Sequence, residues 1–246
     1  MAIMRLLDYT AATFETNLAL DEALLETAEQ SEADCEVLRL WEPHRYAVVV
    51  GRSSRVGDEV RLEVCAERDL PVLRRPSGGC AVVLGPGCLM YSVILSLDFR
   101  PELRAVDLAH HFVLGQLAQT LAQRIAGVQR VGTSDLALKR EHGWRKFSGN
   151  SLRIKRRHLL YHGTILYRFP LELIDACLKP PPREPDYRGG RQHRDFVMNL
   201  PLPVVQIRQA LVDAFEVRAT LQELPRACAN RLAVEKYAKP EWNLRH

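Results

Sequence analysis

Four clusters in this sequence could do chemistry, and each sets charges or hydroxyls beside small residues. The first is Arg74-Arg75-Pro76-Ser77-Gly78-Gly79-Cys80, which runs into Ala81-Val82-Val83-Leu84-Gly85-Pro86-Gly87. Guanidinium groups are planar, permanent cations whose donors match phosphate or carboxylate oxygens. Gly78 and Gly79 allow backbone conformations, and a closeness of approach, that a Cβ would block. The segment reads as a seat for a charged head group against bare backbone, with an apolar tail running inward. A tight turn carrying surface arginines is the plainer alternative.

The second cluster is Arg145-Lys146-Phe147-Ser148-Gly149-Asn150-Ser151. Lys146 is a mobile point charge beside a hydroxyl-rich, approachable backbone. Such a lysine can neutralise a phosphate and the carboxylate attacking it, so that two anions meet; a solvated hairpin lysine is the alternative. The third, Gly132-Thr133-Ser134-Asp135-Leu136, places an acid between two short strands. Asp135 could hold magnesium, bond a ribose, or satisfy its own turn backbone. In the fourth, His162-Gly163-Thr164, the histidine could line a ligand pocket or be a hydrogen-bonded structural group.

Other charges are less specific. Arg153, Lys155, Arg156, Arg157 and His158 read as a hairpin tip whose charge is solvated by default. Contact with nucleic acid or docking of an acidic carrier are the alternatives. Arg183, Arg188, Arg191 and Arg194 alternate with Pro and Gly in a loop that could close over a polyanion or lie free on the surface.

Elements must position these groups. Residues 11–30 carry Phe14, Leu18, Leu24 and Leu25 at helical spacing, with acids on the other face. Strands are expected over 36–41, 46–50, 71–75, 80–84, 89–97, 128–131 and 136–139, with 146–154 and 159–167 as an antiparallel pair. Helices are expected over 58–68, from Pro101 toward Gly127, over 204–216 and through most of 221–237. No βαβ rhythm appears, so the expected class is α+β in one domain, 1–246.

The bulk numbers exclude several functions. A net charge of +4 over 246 residues is too mild to argue for nucleic acid, and suits an anionic small molecule or an acidic protein. Cys35, Cys65, Cys80, Cys88, Cys177 and Cys228 form no CxxC pair and no zinc spacing, which fits a reduced, cytoplasmic setting. The first residues lack an apolar signal core. Ser77–Leu97 is uncharged and long enough to span a membrane, but its glycines and Pro86 read as two buried strands joined by a turn.

Taken in order, these pieces resemble the catalytic domain of lipoate–protein ligases, in the biotin/lipoate protein ligase superfamily. Asn17-Leu18-Ala19-Leu20-Asp21-Glu22, Leu38-Arg39-Leu40-Trp41-Glu42-Pro43 and Val50-Gly51-Arg52 carry the resemblance, along with the four clusters and Pro240-Glu241-Trp242-Asn243. The resemblance implies a mixed, largely antiparallel sheet flanked by helices. It also implies a two-step reaction in which lipoate (or octanoate) and ATP form lipoyl-AMP, and an acceptor lysine then displaces AMP. Lys146 matches the catalytic lysine. Arg75 and the backbone of Cys80, Ala81, Val82 and Val83 match the nucleotide turn, and Gly78 and Gly79 lie beside the acyl chain. Asp135 is a magnesium or nucleotide contact. Arg74, Ser77, Ser148, Gly149, His162 and Gly163 belong to the same ATP/lipoyl-AMP site.

The implied partners are lipoyl acceptor domains of 2-oxoacid dehydrogenases (E2), the glycine-cleavage H protein and a separate accessory subunit, with no nucleic acid and no membrane. The sequence departs from the family pattern at Cys80 (a third glycine), Leu84-Gly85 (His-Asp) and Ser134 (Asn). The rival reading is an octanoyl- or lipoyl-transferase that takes its acyl group from a carrier protein without ATP. Transferase branches generally use a cysteine. Pro180-Pro181-Pro182 stands where the octanoyltransferase branch has Pro-Cys, and Cys177 falls in an apolar helical pattern. The ligase is the expectation. A biotin ligase is disfavoured by the lack of a GRGRxG-type loop, and a nucleic-acid or scaffold protein is the alternative outside enzymes.

Overall fold

The two apolar runs on either side of Gly85-Pro86-Gly87 end in different sheets. In the computed structural model, residues 3–31 and 36–245 are described; Met1, Ala2 and Cys35 lie outside the described residues. The first elements are β1 (Met4–Asp8), α1 (Phe14–Gln30), β2 (Glu36–Trp41), β3 (Ala47–Val50), α2 (Val56–Glu59), α3 (Leu62–Glu67), β4 (Val72–Arg74), β5 (Val82–Leu84) and β6 (Cys88–Ser96). There follow α4 (Val106–Ala122), β7 (Val128–Val131), β8 (Asp135–Arg140), β9 (Gly143–Ile154), β10 (His158–Leu166), α5 (Glu172–Cys177) and α6 (His193–Phe196). The last are α7 (Val204–Ala214), β11 (Ala219–Thr220), α8 (Arg226–Leu232), which runs into a π-helical turn (Ala233–Tyr237), and α9 (Pro240–Asn243).

The class is α+β. A large sheet has the order β11-β1-β2-β6-β10-β9-β8-β7, and a small one the order β4-β3-β5. Pairing is parallel at β1/β2, β1/β11 and β3/β4, and antiparallel elsewhere. Successive strand residues face opposite sides. Leu160 thus enters the core shared by α1 and the small sheet, while Leu159, Tyr161 and Ile165 enter the core under α4 and α7. The large sheet is therefore covered on both faces, and the functional clusters must lie where α1 and the small sheet meet β9 and β10. No helix among the described residues is long and apolar enough to cross a membrane.

Tertiary pairing overrides local pattern at several places. The helix expected over 58–68 is broken, because Val60 is extended (φ −118°) and bridges Leu178. The helix expected from 221 starts only at Arg226, because the preceding chain runs alongside β1 and Leu221 N–H donates to Leu6 O. The long helix after Pro101 ends at Ala122, and Gly127 turns the chain into β7 with φ +88°.

The basic hairpin tip is not left to solvent. Arg153 pairs with Glu22 at 2.5 Å and Lys155 with Glu26 at 3.1 Å, so the acids of α1 take up charge from the tip. Arg157 pairs with Asp98 at 2.9 Å, and its backbone N–H and that of His158 donate to the Glu29 carboxylate. With these pairs made, Arg156 is the exposed cation of the run, which offers little net charge for nucleic acid or an acidic carrier.

Glu22 is 2% exposed and also accepts from Lys236 Nζ (2.7 Å) and Tyr237 Oη (2.7 Å). Burial alone would raise its pKa, but Lys236, Tyr237 and Arg153 outweigh burial and hold it below 4.5. A depressed folded pKa contributes stability that is fully present above the unfolded value and lost as pH falls through the folded one. Thermal midpoints of the wild type should therefore drop as pH falls below 4.5. Glu22→Gln should lose about 1–3 kcal/mol at neutral pH and show a shallower acid decline in the same scan.

Candidate active site

Lys146 reaches its position through an irregularity in β9. Leu136 pairs with Ser148 but Ala137 pairs with Lys146, so Phe147 is an extra residue without a partner on β8. Such a bulge re-aims the side chains around it. In a regular strand, residues 146 and 149 would face opposite sides. Here Lys146 and Gly149 share a face, and Phe147 is fully buried in the core under α4. A Cβ on Gly149 would stand 2.9 Å from Lys146 Nζ, so the glycine makes room for the ammonium group.

Asp135, the first residue of β8, holds that group. Its Oδ1 is 2.7 Å from Lys146 Nζ, and its Oδ2 accepts from Tyr187 Oη at 2.8 Å. Burial and the adjacent carboxylate push the Tyr187 hydroxyl well above its usual range, so it stays a donor. Tyr187 lies in the Pro/Arg/Gly loop and was not singled out from sequence. Its only local signal is an aromatic residue within a loop read as a cover. Tyr187 packs on Phe196 at 5.1 Å and borders, with Gly132, Thr133, Pro185 and Asp186, a recess of about 420 Å³. The lysine side chain is 28% exposed and the aspartate side chain 8%, so the cation lies at an opening and its partner beneath it.

The glycine turn faces this ribbon. Gly79 has φ +84°, and its carbonyl sits where a Cβ on Gly51 would collide. Ser77 Oγ is 2.5 Å from His162 Nε2, and Ser151 Oγ donates to Gly78 O at 2.9 Å. On this face of β9 and β10, Gly149 and Thr164 come first and Ser151 and His162 next, with the latter two residues cross-strand partners. Gly78 and Gly79 are exposed and Cys80 is half-buried, so bare backbone lines the opening.

Several expected binding residues point elsewhere. Neighbours on a strand alternate, and Arg74 and Arg75 diverge accordingly. Arg74 is fully buried and donates to the carbonyls of Gly51 (2.7 Å), Ser54 (2.9 Å), Trp242 (2.9 Å) and Arg245 (2.5 Å). It is a clamp on the C-terminal turn, with no face toward Lys146. Arg75 is 8% exposed and donates to Gly78 O (2.6 Å), Cys80 O (2.9 Å) and Val49 O (3.1 Å), which braces the turn from behind. Burial lowers its pKa to about 10.

Ser148 exchanges hydrogen bonds with Asn150 on the α4 side. The Cβ direction of Gly163 also points to that side, into Asn150 and Tyr91. The Ser148 side chain and the Cβ direction of Gly163 both face away from the opening, because the register that presents Gly149 and His162 turns them there. In the Cys80–Val83 segment, the Ala81 N–H donates at 2.5 Å to the Glu59 carboxylate, and Val83 is buried in the core. Glu59 was not anticipated.

Among the described residues no three His, Cys, Asp or Glu side chains converge, and both oxygens of Asp135 are engaged by Lys146 and Tyr187. The donor set does not fit a magnesium ion held by the protein alone. Cys177 is a free, fully buried thiol hydrogen-bonded to the free thiol of Cys65, and burial raises its pKa, as it does that of half-buried Cys80. A raised pKa means little thiolate at neutral pH.

Known proteins share this sequence pattern and fold. The lipoyl protein ligase A/B catalytic domain family matches residues 13–216. A protein of Aeropyrum pernix assigned to lipoate-protein ligase A is 35% identical over 162 residues, which cover 65% of this chain and 56% of that protein. Lipoate-protein ligase A subunit 1 of Thermoplasma acidophilum is 25% identical over 254 residues, covering 96% of this chain and 94% of that one. A solved structure of the archaeal lipoylation system of Thermoplasma acidophilum, a bipartite lipoate protein ligase and its E2 lipoyl domain, superposes with TM-score 0.82. That match has 25% identity and covers 99% of this chain and 97% of the other. A lipoate-protein ligase A solved with ATP shares the fold at TM-score 0.78 and 23% identity, covering 99% and 98%. The chain belongs to the lipoyl protein ligase A/B catalytic domain family of enzymes.

Proposed function

We propose that this chain attaches lipoate to a lysine of an acceptor domain through lipoyl-AMP, formed from lipoate and ATP. The observation that carries the reading is the Lys146 ammonium, fixed at the opening by Asp135 beside the bare backbone of Gly149. In the first step the lipoate carboxylate attacks the α-phosphate and pyrophosphate leaves. Both reactants are anions, and a preorganised cation between them stabilises the charge that develops as they meet. Holding both against one turn removes much of the entropic barrier. In the second step the acceptor amine attacks the acyl carbon and AMP departs.

In this reading Gly78, Gly79 and Ser77 flank the acyl group, and the half-buried Cys80–Val82 backbone and Arg75-braced turn receive the nucleotide. Magnesium would arrive on the phosphates, where it neutralises charge; it has no dedicated cage here. One Thermoplasma acidophilum relative is named as subunit 1 of its ligase, and the solved structure from that organism belongs to a system of a bipartite ligase and its E2 lipoyl domain. These names support a lipoyl domain as acceptor and a second subunit as partner; the glycine-cleavage H protein is a further acceptor of the same kind. Transfer through a cysteine is disfavoured by the burial of Cys177. Incubation with ATP, magnesium and lipoate or octanoate should yield acyl-AMP by mass spectrometry. Its absence, even with a lipoyl domain and the second subunit added, would end this reading.

A further inference from the structure

A row of three residues crosses the α4 face of the large sheet. Tyr91 on β6, Gly163 on β10 and Asn150 on β9 are successive cross-strand partners. Partners in register turn their side chains to one face. A Cβ on Gly163 would stand 1.8 Å from Asn150 Oδ1 and 2.9 Å from Tyr91 Cε1. The missing side chain is therefore a notch across which its two neighbours meet. The fully buried Tyr91 donates through Oη to Asn150 Oδ1 at 2.6 Å.

The other end of that amide reaches the turn before β8. Asn150 Nδ2 donates to Ser134 O at 2.8 Å and to Ser148 Oγ at 3.2 Å. A carbonyl can only accept, so Ser134 O fixes which end of the amide faces the turn. The Tyr91 hydroxyl, kept protonated by burial, supplies the matching donor at the opposite end. Ser134 O belongs to the planar peptide unit that ends at the Asp135 Cα. Asp135–Gly149 is the last pair of the β8/β9 ladder on the turn side, and the ladder is broken just beyond Leu136 by the bulge. Two regular pairs thus hold this end of β8 against β9, and the Asn150 side chain takes the place of a third.

We propose that Asn150 is a positioning residue for the Lys146–Asp135 pair, and that Gly163 serves the site from the far face of the sheet as the notch that seats the Asn150 amide. Asn150 anchors the β7/β8 turn at Ser134, so the Asp135 carboxylate stays at the ammonium group instead of moving with the turn. The Asn150 side chain lies on the α4 side and meets no substrate, so it acts only through the turn it holds. The proposal rests on reading the Lys146–Asp135 pair as the reacting centre, and adds what keeps that pair together.

The test compares single-turnover rate constants for acyl-AMP formation from ATP, magnesium and lipoate. Asn150→Ala should lower the rate constant about 10–100-fold, as a small misplacement remote from the chemistry does. The steady-state KM for ATP and for lipoate should stay within about twofold of wild type. Loss of folded protein alone would reduce the amount of product and not the rate constant. In the Asp135→Ala background the same substitution should cost less than about threefold more, because its route of action is already gone. Gly163→Ala should reproduce the loss, and should add less than about threefold in the Asn150→Ala background, where no amide is left to collide with. Tyr91→Phe removes one oxygen and keeps the ring, which guards against an Asn150 variant that does not fold; it should show a smaller loss of the same kind. Crystal structures put the question without substrate: in Asn150→Ala, or in Gly163→Ala, the Asp135 Oδ1 to Lys146 Nζ distance should open from 2.7 Å to beyond hydrogen-bond reach. An unchanged distance, an unchanged rate constant, a loss carried by KM, or a full further loss in the Asp135→Ala background would overturn the proposal. A wild type that makes no acyl-AMP would instead remove the ligase reading, and the crystal comparison would then decide the positioning role by itself.

Discussion

Lys146→Ala should abolish pyrophosphate release from ATP and lipoate while leaving a folded protein. The ammonium group is bonded to one partner, Asp135, and its side chain is 28% exposed. Pairs at an opening contribute little to stability. Asp135 keeps the Tyr187 hydroxyl after the change, so the expected cost is about 1–2 kcal/mol. The proposed reaction depends on the cation differently. Removing a single preorganised donor at developing charge commonly costs 10²–10³-fold, and here the lost group also separates two anions. A fall of at least ~10³-fold is expected. Lys146→Arg keeps the charge but exchanges a compact ammonium for a planar fork that does not match the space above Gly149. It should recover only a small part of the rate. Pyrophosphate release and a thermal scan on the same preparations measure both effects. Undiminished release by the alanine variant would remove Lys146 from the reaction.

The site's composition was more legible in the sequence than its geometry. Lys146, Asp135, Ser77, His162 and the paired glycines could be picked out because each carries a chemical type in an unusual local setting. Their facing directions could not, because these depend on register. One unpaired residue, Phe147, decides that Lys146 shares a face with Gly149 and not with Ser148. No feature of the local sequence marks that bulge. Arg74 and Arg75 are chemically identical in sequence, and only strand alternation and the position of the C-terminal turn assign one to a clamp and the other to the glycine turn. Tyr187 and Glu59 come from segments distant in sequence, and their partners are made by tertiary contact.

The element pattern follows the same division. Long periodic segments such as α1 and α7, and the β9/β10 hairpin, were foreseeable from the spacing of apolar residues. Short segments yielded to neighbours. Val60 abandons a helix to bridge Leu178, and the chain before Arg226 is drawn into pairing with β1. Charge behaves likewise: the acids of α1 and the cations at the hairpin tip are each ordinary solvated groups in sequence, and become partners only when α1 lies across β9 and β10. This packing pairs most of the tip's charge internally and leaves Lys146 as a cation presented beside the open glycine backbone.

Arg74 and Lys146 therefore make opposite predictions. Arg74→Ala should cost stability and leave nucleotide use intact in the protein that folds. Its guanidinium donates to five carbonyls in two segments of backbone: Gly51, Arg52 and Ser54 in one, Trp242 and Arg245 in the other. Each carbonyl loses a charge-assisted bond, and those that water cannot reach bear a desolvation penalty of about 1–3 kcal/mol. Partial relaxation keeps the total near 3–5 kcal/mol, or roughly 10 °C in the unfolding midpoint for a chain of this size. Asn243 Oδ1 and Trp242 Nε1 still bond the backbone of residue 74, so the C-terminal turn should loosen without detaching. Arg74→Lys cannot rescue it, because one ammonium cannot reach carbonyls spread around a planar fork. Below the lowered midpoint, the KM for ATP should stay within about twofold of wild type, since a factor of two is less than 0.5 kcal/mol. A normal midpoint with a tenfold rise in that KM would show that the guanidinium turns to the nucleotide, and the clamp assignment would fail.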